Sequence, residues 1–223
     1  METLAMKFKI ITAVFLSIIA YSCSTTTKIS SRWKPGLAPQ TNFVTIMSLV
    51  VAGDSERPLR EKMEKHVAGD FTTHGYTGIS ALATFGPKAL TGLNEHALME
   101  KIKEKNVDAV LLISLLNKKR EKYYVPAKAQ ETPFAINYNK FSSHYNTINE
   151  RILMEGYYTE DTRYFWECSL YDVQTGKLLY SAISESFDPG STETLAHQFG
   201  LEMIKDIIKQ EIISDKTPVT EPD

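Results

Sequence analysis

Three side chains that could bind a metal ion are spaced four residues apart in one predicted helix. His66, Asp70 and His74 occupy positions i, i+4 and i+8, which places them on one helical face, and helical His residues at this spacing are common zinc ligands. Gly69 weakens the helix between them, and Lys62 continues the same face. A solvated polar stripe explains this pattern without a metal. We therefore predict no metal site and no cofactor.

The other residues with chemical potential do not form a catalytic motif. The tripeptide Thr175–Lys177 resembles the end of a phosphate-binding loop, but Tyr171 stands where that loop requires glycine. Cys168 lies between Trp166 and Leu170 at strand spacing, and no basic partner nearby would activate its thiol. We predict that Cys168 is a small core residue and that the protein is not an enzyme.

A tyrosine-rich segment extends over residues 123–158. It contains six of the eleven tyrosines of the chain. These residues are Tyr123, Tyr124, Tyr138, Tyr145, Tyr157 and Tyr158. Tyrosine provides a large contact area at a low entropic cost, which is typical of binding surfaces. We predict that the segment contacts a partner; the alternative is a β-ribbon or extension whose rings cover its own sheet.

The N-terminus has the features of a targeting signal. Lys7 and Lys9 precede the uncharged apolar run Ile10–Ala20, which at eleven residues is too short to cross a bilayer and fits the core of a signal peptide. The run ends in Ala20-Tyr21-Ser22-Cys23, which resembles the lipobox of bacterial lipoproteins. The resemblance implies cleavage before Cys23, a diacylglycerol on its thiol and an acylated amine.

The lipobox resemblance also predicts a location and a set of boundaries. Ser24 stands where aspartate retains lipoproteins in the inner membrane, which implies a periplasm-facing protein of the Gram-negative outer membrane. The polar residues up to Ser31 resemble a tether. The predicted organisation is listed by residue number: signal peptide 1–22, acylated tether 23–31, one α/β domain 32–213 and a flexible tail 214–223.

The composition is that of an ordinary globular protein. The chain has 223 residues, of which 43% are hydrophobic and 23% charged, so disorder and fibrous folds are excluded for most of it. The formal net charge is −2. Without a basic excess, the electrostatic footprint of a nucleic-acid-binding protein is missing, and we predict no nucleic-acid partner.

The hydrophobic pattern predicts an α/β (α+β) fold with a mixed sheet. The apolar runs 43–51 and 107–116 are typical of central parallel strands, and residues 76–82 predict a short strand between them. A helix capped by Asp54 or Ser55 and ending at Gly75 carries one apolar stripe. That stripe consists of Leu59, Met63, Val67 and Phe71. With a second helix capped by Asn94, this half predicts a parallel βαβαβ unit.

The second half predicts an antiparallel hairpin and a long C-terminal helix packed on the sheet. Strands at 163–171 and 178–187 flank a turn that contains Gly176, and residues 152–159 predict a further strand. Ser191 or Thr192 caps a helix that is predicted to reach Ile213. An edge strand is also predicted at 29–33.

The order of these elements resembles a family of bacterial lipoproteins of unknown function. Their domain is similar to the α/β domain at the N-terminus of TolB and in curli-assembly lipoproteins. The matching segments are Ser31–Lys34, Phe43–Val51, Lys105–Leu111, Tyr123–Pro126 and Leu170–Leu178. These segments are strand cores and turns, so the resemblance implies a fold and no catalytic residues. The chain departs from the family in Lys128–Asn149, where a stretch rich in glycine and tyrosine is expected.

Two functions remain open at this point. The preferred one is a non-catalytic envelope lipoprotein that is held by acyl chains on Cys23 and contacts another envelope protein through the tyrosines. The alternative is a periplasmic module that binds a small ligand or a glycan. In open α/β sheets such ligands bind beyond the carboxyl ends of the strands, here at the loops Ala52–Asp54 and Ala83–Asn94.

Overall fold

A computed structural model describes residues 27–36, 42–125 and 157–217. The predicted signal peptide, Cys23, Tyr138 and Tyr145 lie outside the described residues. The strands are β1 (Thr27–Trp33), β2 (Thr45–Val51), β3 (Thr77–Ser80), β4 (Ala109–Val125), β5 (Tyr157–Asp172) and β6 (Leu178–Phe187). The helices are α1 (Arg57–Thr73), α2 (Ala81–Phe85), α3 (Glu95–Lys103) and α4 (Thr192–Lys209).

The six strands form one mixed sheet in the order β1-β6-β5-β4-β2-β3. Strand β2 pairs in parallel with β3 and β4, whereas the other three pairings are antiparallel. Helices α1 and α4 pack side by side on one face. Residues of α2 and α3 join a smaller apolar cluster with Met47 and Val110. The predicted α/β class, the mixed sheet and the C-terminal helix are confirmed.

Helix α1 packs on the sheet through the predicted stripe. Leu59, Met63, Val67 and Phe71 are all buried. The helix approaches β3 so closely that a Cβ atom at Gly78 would collide with the carbonyl oxygen of Ala68. The predicted capping was wrong, because a short 3-10 turn over Asp54–Glu56 precedes α1 and no side chain caps it.

Both predicted boundaries of the domain shift outward. Strand β1 begins at Thr27, inside the predicted tether, and the Thr27 hydroxyl lies 2.8 Å from that of Ser186. At the other end the described residues 214–217 belong to the fold, because Tyr76 donates a hydrogen bond to the Ser214 carbonyl and Lys216 donates one to the Phe43 carbonyl. Side-chain contacts distant in sequence therefore order segments whose polar composition predicted a tether and a tail.

The C-terminal helix is shorter than predicted. Its N-cap is Ser191, whose hydroxyl accepts a hydrogen bond from the Thr194 amide at 3.0 Å. The helix ends at Lys209, and Glu211 adopts a left-handed conformation with φ of 62°. Ile212 and Ile213, beyond the helix end, are nevertheless buried.

The predicted strands at 163–171 and 152–159 are not separate, because residues 157–172 form the single strand β5 and residues 152–156 lie outside the described part of the chain. Two further predictions are confirmed. Cys168 is fully buried in the main apolar cluster, and this burial raises the pKa of its thiol. Gly176 has a φ of 68° in the turn between β5 and β6, so the candidate phosphate-binding tripeptide lies in a hairpin turn. No helix in the described part of the chain is both long enough and apolar enough to cross a bilayer.

Candidate interaction surface

Strands β4 and β5 continue past the rest of the sheet as a two-stranded ribbon. The pairing of β2 with β4 ends at Ser114, and the pairing of β6 with β5 begins at Arg163. Beyond these points residues 120–125 and 157–162 pair with each other. The six ribbon residues of β5 extend about 20 Å at the usual rise of about 3.3 Å per residue. We call this segment the tyrosine ribbon.

The tyrosine ribbon brings together four of the six predicted contact residues. Tyr123, Tyr124, Tyr157 and Tyr158 are between 46% and 76% exposed, which is high for large aromatic side chains. Tyr124 and Tyr158 are directly opposite each other, and their ring centroids lie 5.3 Å apart. The other two predicted residues, Tyr138 and Tyr145, lie outside the described part of the chain.

The four tyrosines occupy both faces of the ribbon. Successive side chains of a strand alternate between faces, so Tyr124 and Tyr158 share one face while Tyr123 and Tyr157 share the other. On the second face, Tyr123 donates a hydrogen bond to the Asp161 carboxylate at 3.2 Å, and this bond raises the pKa of the phenol. The ribbon can therefore contact a partner through either face.

The base of the ribbon is fixed to the loop that follows β2. The Lys118 ammonium lies 2.8 Å from the Glu56 carboxylate and 5.2 Å from the centroid of the Tyr164 ring. Further along, Glu160 lies 3.7 Å from both Arg120 and Lys122. Since β4 runs parallel to β2, the ribbon projects from the sheet end where β2 and β3 terminate.

The candidate metal ligands do not converge on a metal site. His66 lies 2.5 Å from Glu193, and His74 lies 3.2 Å from Asp215, so each histidine faces a different carboxylate. Within the described residues no group of three or more His, Cys, Asp or Glu side chains could hold a metal ion. The alternative of a solvated stripe was wrong for Asp70, because α4 packs beside α1 and buries one of its carboxylate oxygens.

The structure also contains a buried carboxylate that the sequence pattern did not reveal. Glu64 is fully buried between α1 and the sheet. It accepts four hydrogen bonds. The donors are the Val50 amide at 3.0 Å, the Arg60 guanidinium at 3.2 Å, the Ser80 hydroxyl at 2.7 Å and the Leu82 amide at 2.5 Å. With these donors Glu64 holds α1, β2 and α2 together, and it is not available to a ligand.

A groove of about 590 Å³ lies between α1 and the edge strand β3. Arg57, Glu61 and Lys65 line it from α1, and Leu82, Ala83 and Pro87 line its other side. Ala83 and Pro87 belong to the loop Ala83–Asn94, one of the two loops at which the small-ligand alternative placed its site. The predicted loop Ala52–Asp54 does not line the groove.

No family model matches the chain, and no curated protein matches it. The chain is similar to several solved structures at low sequence identity, including the following three. A PelC dodecamer from Paraburkholderia phytofirmans is 11% identical with a TM-score of 0.40, over 80% of this chain and 94% of that chain. Lipoprotein GNA1162 from Neisseria meningitidis is 15% identical with a TM-score of 0.41, over 74% and 99%. A neuraminyllactose-binding hemagglutinin homologue from Helicobacter pylori is 10% identical with a TM-score of 0.36, over 80% and 90%.

Proposed function

We propose that this protein is a non-catalytic envelope lipoprotein that binds another envelope protein through its tyrosine ribbon. Acyl chains on Cys23 hold it in the outer membrane, and its single domain faces the periplasm. The observation that supports this function best is the ribbon itself, which carries four exposed tyrosines beyond the sheet. Rings this exposed add little to the burial of the protein's own core, so contact with a partner is the better explanation for their position.

The chemistry of the buried groups is in keeping with a non-catalytic role. Cys168 is enclosed by the core, and the raised pKa of its thiol opposes formation of the nucleophilic thiolate. Glu64 is saturated with hydrogen bonds, so it does not offer a carboxylate to a substrate. Neither group has the access that acid–base or nucleophilic chemistry requires.

The test is to purify the acylated protein from its own membranes in mild detergent, crosslink it and identify what remains bound. We expect a stoichiometric protein partner with the wild type. A variant with Tyr124→Ala and Tyr158→Ala should lose this partner and still fold, since both rings are exposed. Trp33→Ala is the control, because Trp33 is also an exposed aromatic residue but lies on β1, away from the ribbon.

Three results would each contradict part of the proposal. A clean monomer without a partner would exclude the assembly role, and a partner that both variants retain would exclude the ribbon as its site. If the Tyr124/Tyr158 variant retains the partner, Tyr138→Ala and Tyr145→Ala test the remaining predicted contacts. An intact mass that shows no acyl chains on Cys23 would exclude the anchor.

The small-ligand or glycan module remains the second candidate because of the groove beside β3. Its volume of about 590 Å³ lies in the range of small-molecule sites, and Arg57, Glu61 and Lys65 supply polar groups along one wall. Binding of a glycan or small anion that is lost in Lys65→Ala would favour this function. Unchanged binding in that variant would exclude the groove.

A further inference from the structure

A second groove, of about 400 Å³, lies at the other edge of the sheet between β1 and α4. Its charged lining residues are Lys28, Arg32, Glu202, Lys205, Asp206 and Lys209. Four of these are cations and two are anions. We call this surface the cationic edge. It contrasts with the chain as a whole, which has a formal net charge of −2.

The positive charge of the cationic edge comes from three lysines. Arg32 is paired within the fold, because its Nε lies 3.1 Å from Asp206 Oδ2, and Tyr180 donates a hydrogen bond to the same oxygen. Lys28, Lys205 and Lys209 are exposed, and none of them forms an ion pair with another described residue. With Glu202 as the one remaining anion of this lining, the groove presents a net charge of +2.

The covalent structure places the cationic edge next to the proposed lipid anchor. Cys23 precedes Thr27 by four residues, and Thr27 lines the groove. Four residues span at most about 14 Å even when fully extended. If Cys23 is acylated, this end of the groove therefore lies within about 14 Å of the membrane, whatever path the intervening residues take.

We propose that the cationic edge binds the anionic phospholipid headgroups of the membrane that holds the anchor. This inference rests on the proposed acylation of Cys23. A lysine ammonium is a compact charge on a flexible stem that suits phosphate-bearing headgroups, and basic residues held near an anionic membrane surface are attracted to it electrostatically. In the described sheet β1 is the outermost strand, so Lys28 lies at its edge.

Binding of the cationic edge to the membrane would also set the distance between the tyrosine ribbon and the bilayer. Strand β5 lies two strands and β4 three strands from β1. At a spacing of about 4.8 Å per strand, the ribbon is held about 10 to 15 Å from the edge that touches the membrane. The tyrosines then remain accessible to an envelope protein beside the lipoprotein.

The test measures flotation of the mature chain from residue 23 onward with phospholipid vesicles. The chain carries Cys23→Ser, so that no acyl chain hides the contribution of the lysines. We expect binding to vesicles that contain phosphatidylglycerol, weaker binding to phosphatidylcholine alone, and loss of binding at high salt. Lys28→Gln, Lys205→Gln and Lys209→Gln together should weaken binding about a hundredfold, since each basic residue near an anionic surface contributes about fivefold.

The matched control removes three exposed lysines elsewhere. Lys88→Gln, Lys103→Gln and Lys105→Gln lie on or near α3, which joins the smaller apolar cluster, and change the net charge by the same amount. This variant should bind like the unmodified chain. Equal weakening by both triple variants, or no preference for phosphatidylglycerol, would overturn the proposal.

Two further outcomes separate this proposal from its alternatives. A Lys28/Lys205/Lys209 variant that binds vesicles like the unmodified chain when both lack acyl chains, but loses a crosslinked protein when acylated, would assign the edge to an acidic protein and overturn the lipid contact. The intact mass of the membrane-extracted protein tests acylation independently. An unmodified Cys23 would defeat the proposed anchor, whereas vesicle binding by the unacylated chain reports on the lysines alone.

Discussion

Glu64 and Asp70 lie six residues apart on helix α1, and the fold treats their carboxylates very differently. Glu64 is fully buried and accepts four hydrogen bonds. Asp70 is half-buried, and its Oδ2 has no hydrogen-bond partner among the described residues. Burial raises the pKa of the Asp70 carboxyl, although His197, His66 and His74 oppose this shift.

The difference follows from the backbone that each side chain faces. Glu64 faces the end of β2 and the start of α2, where amides lack a regular partner: β3 stops at Ser80, and Leu82 lies in the first turn of α2. Asp70 faces Gly200, in the interior of α4, where each amide already bonds within the helix. A carboxylate on one helix thus stabilises the fold where strand and helix ends supply donors, and costs free energy where they do not.

Removing the satisfied carboxylate should have the largest effect. Glu64→Ala leaves the Val50 and Leu82 amides and the Arg60 guanidinium without their acceptor in a buried site. We expect the free energy of unfolding in urea to fall by about 3–5 kcal/mol. Glu61→Ala, at an exposed position one turn earlier on the same helix, should change it by less than about 0.5 kcal/mol. If both variants lowered the free energy of unfolding equally, the four hydrogen bonds of Glu64 would contribute nothing to stability.

The cation that balances Glu64 should have the next largest effect. Arg60 Nε lies 3.2 Å from Glu64 Oε1, and its side chain is mostly buried. Arg60→Ala removes a hydrogen bond to a charged group, and we expect a loss of about 1.5–3 kcal/mol in the same urea titration. Arg57→Ala provides the control, since Arg57 lines the groove and makes no ion pair with another described residue. If Arg60→Ala left the free energy of unfolding unchanged, the three other donors would be sufficient to stabilise the buried Glu64 carboxylate.

The close approach of Asp70 to α4 can be tested with a double-mutant cycle. A Cβ atom at Gly200 would collide with Asp70 Oδ2, so we expect Gly200→Ala to lower the free energy of unfolding by about 1–2 kcal/mol. In an Asp70→Ala background the collision is absent, and alanine is better than glycine in a helix by about 1 kcal/mol. Gly200→Ala should then stabilise the protein. Additive effects of the two substitutions would contradict the contact.

The sequence predicted those parts of the fold that depend on local periodicity. The stripe from Leu59 to Phe71 repeats every four residues and is buried as predicted, and β6 has the predicted bounds of 178–187. Strand β4 continues nine residues beyond the predicted Leu116. Its charged continuation shows no apolar alternation and is ordered by pairing with β5, a contact between segments distant in sequence.

The candidate site was predictable in composition but not in geometry. Clustering of tyrosines identified four residues that the ribbon presents together, whereas the facing pair Tyr124 and Tyr158 depends on the register between β4 and β5. The roles of Glu64 and Asp70 could not be predicted. Both are acidic residues on one helix, and their environments depend on which backbone amides the tertiary fold leaves unpaired.

The smallest predicted effect is a pH dependence that comes from Asp70. Because its pKa is raised in the folded state, the folded protein holds this proton more tightly than the unfolded chain does. The cost of ionising Asp70 is therefore absent below the unfolded pKa of about 3.9 and fully present once the pH exceeds the folded value. Asp70→Asn removes this cost, so the variant should gain stability relative to the wild type as the pH rises from about 4.

The measurement is a urea titration of wild type and Asp70→Asn at several pH values between about 4 and 7. We expect the difference in the free energy of unfolding to increase with pH by less than about 1 kcal/mol, since the three nearby histidines offset part of the burial cost. Asp172→Asn is the control, because Asp172 Oδ1 accepts a hydrogen bond from the Thr175 amide at 2.7 Å that an asparagine amide oxygen can also accept, so its free energy of unfolding should change little. A difference for Asp70→Asn that falls with pH would mean that the histidines outweigh burial, and that Asp70, like Glu64, stabilises the fold.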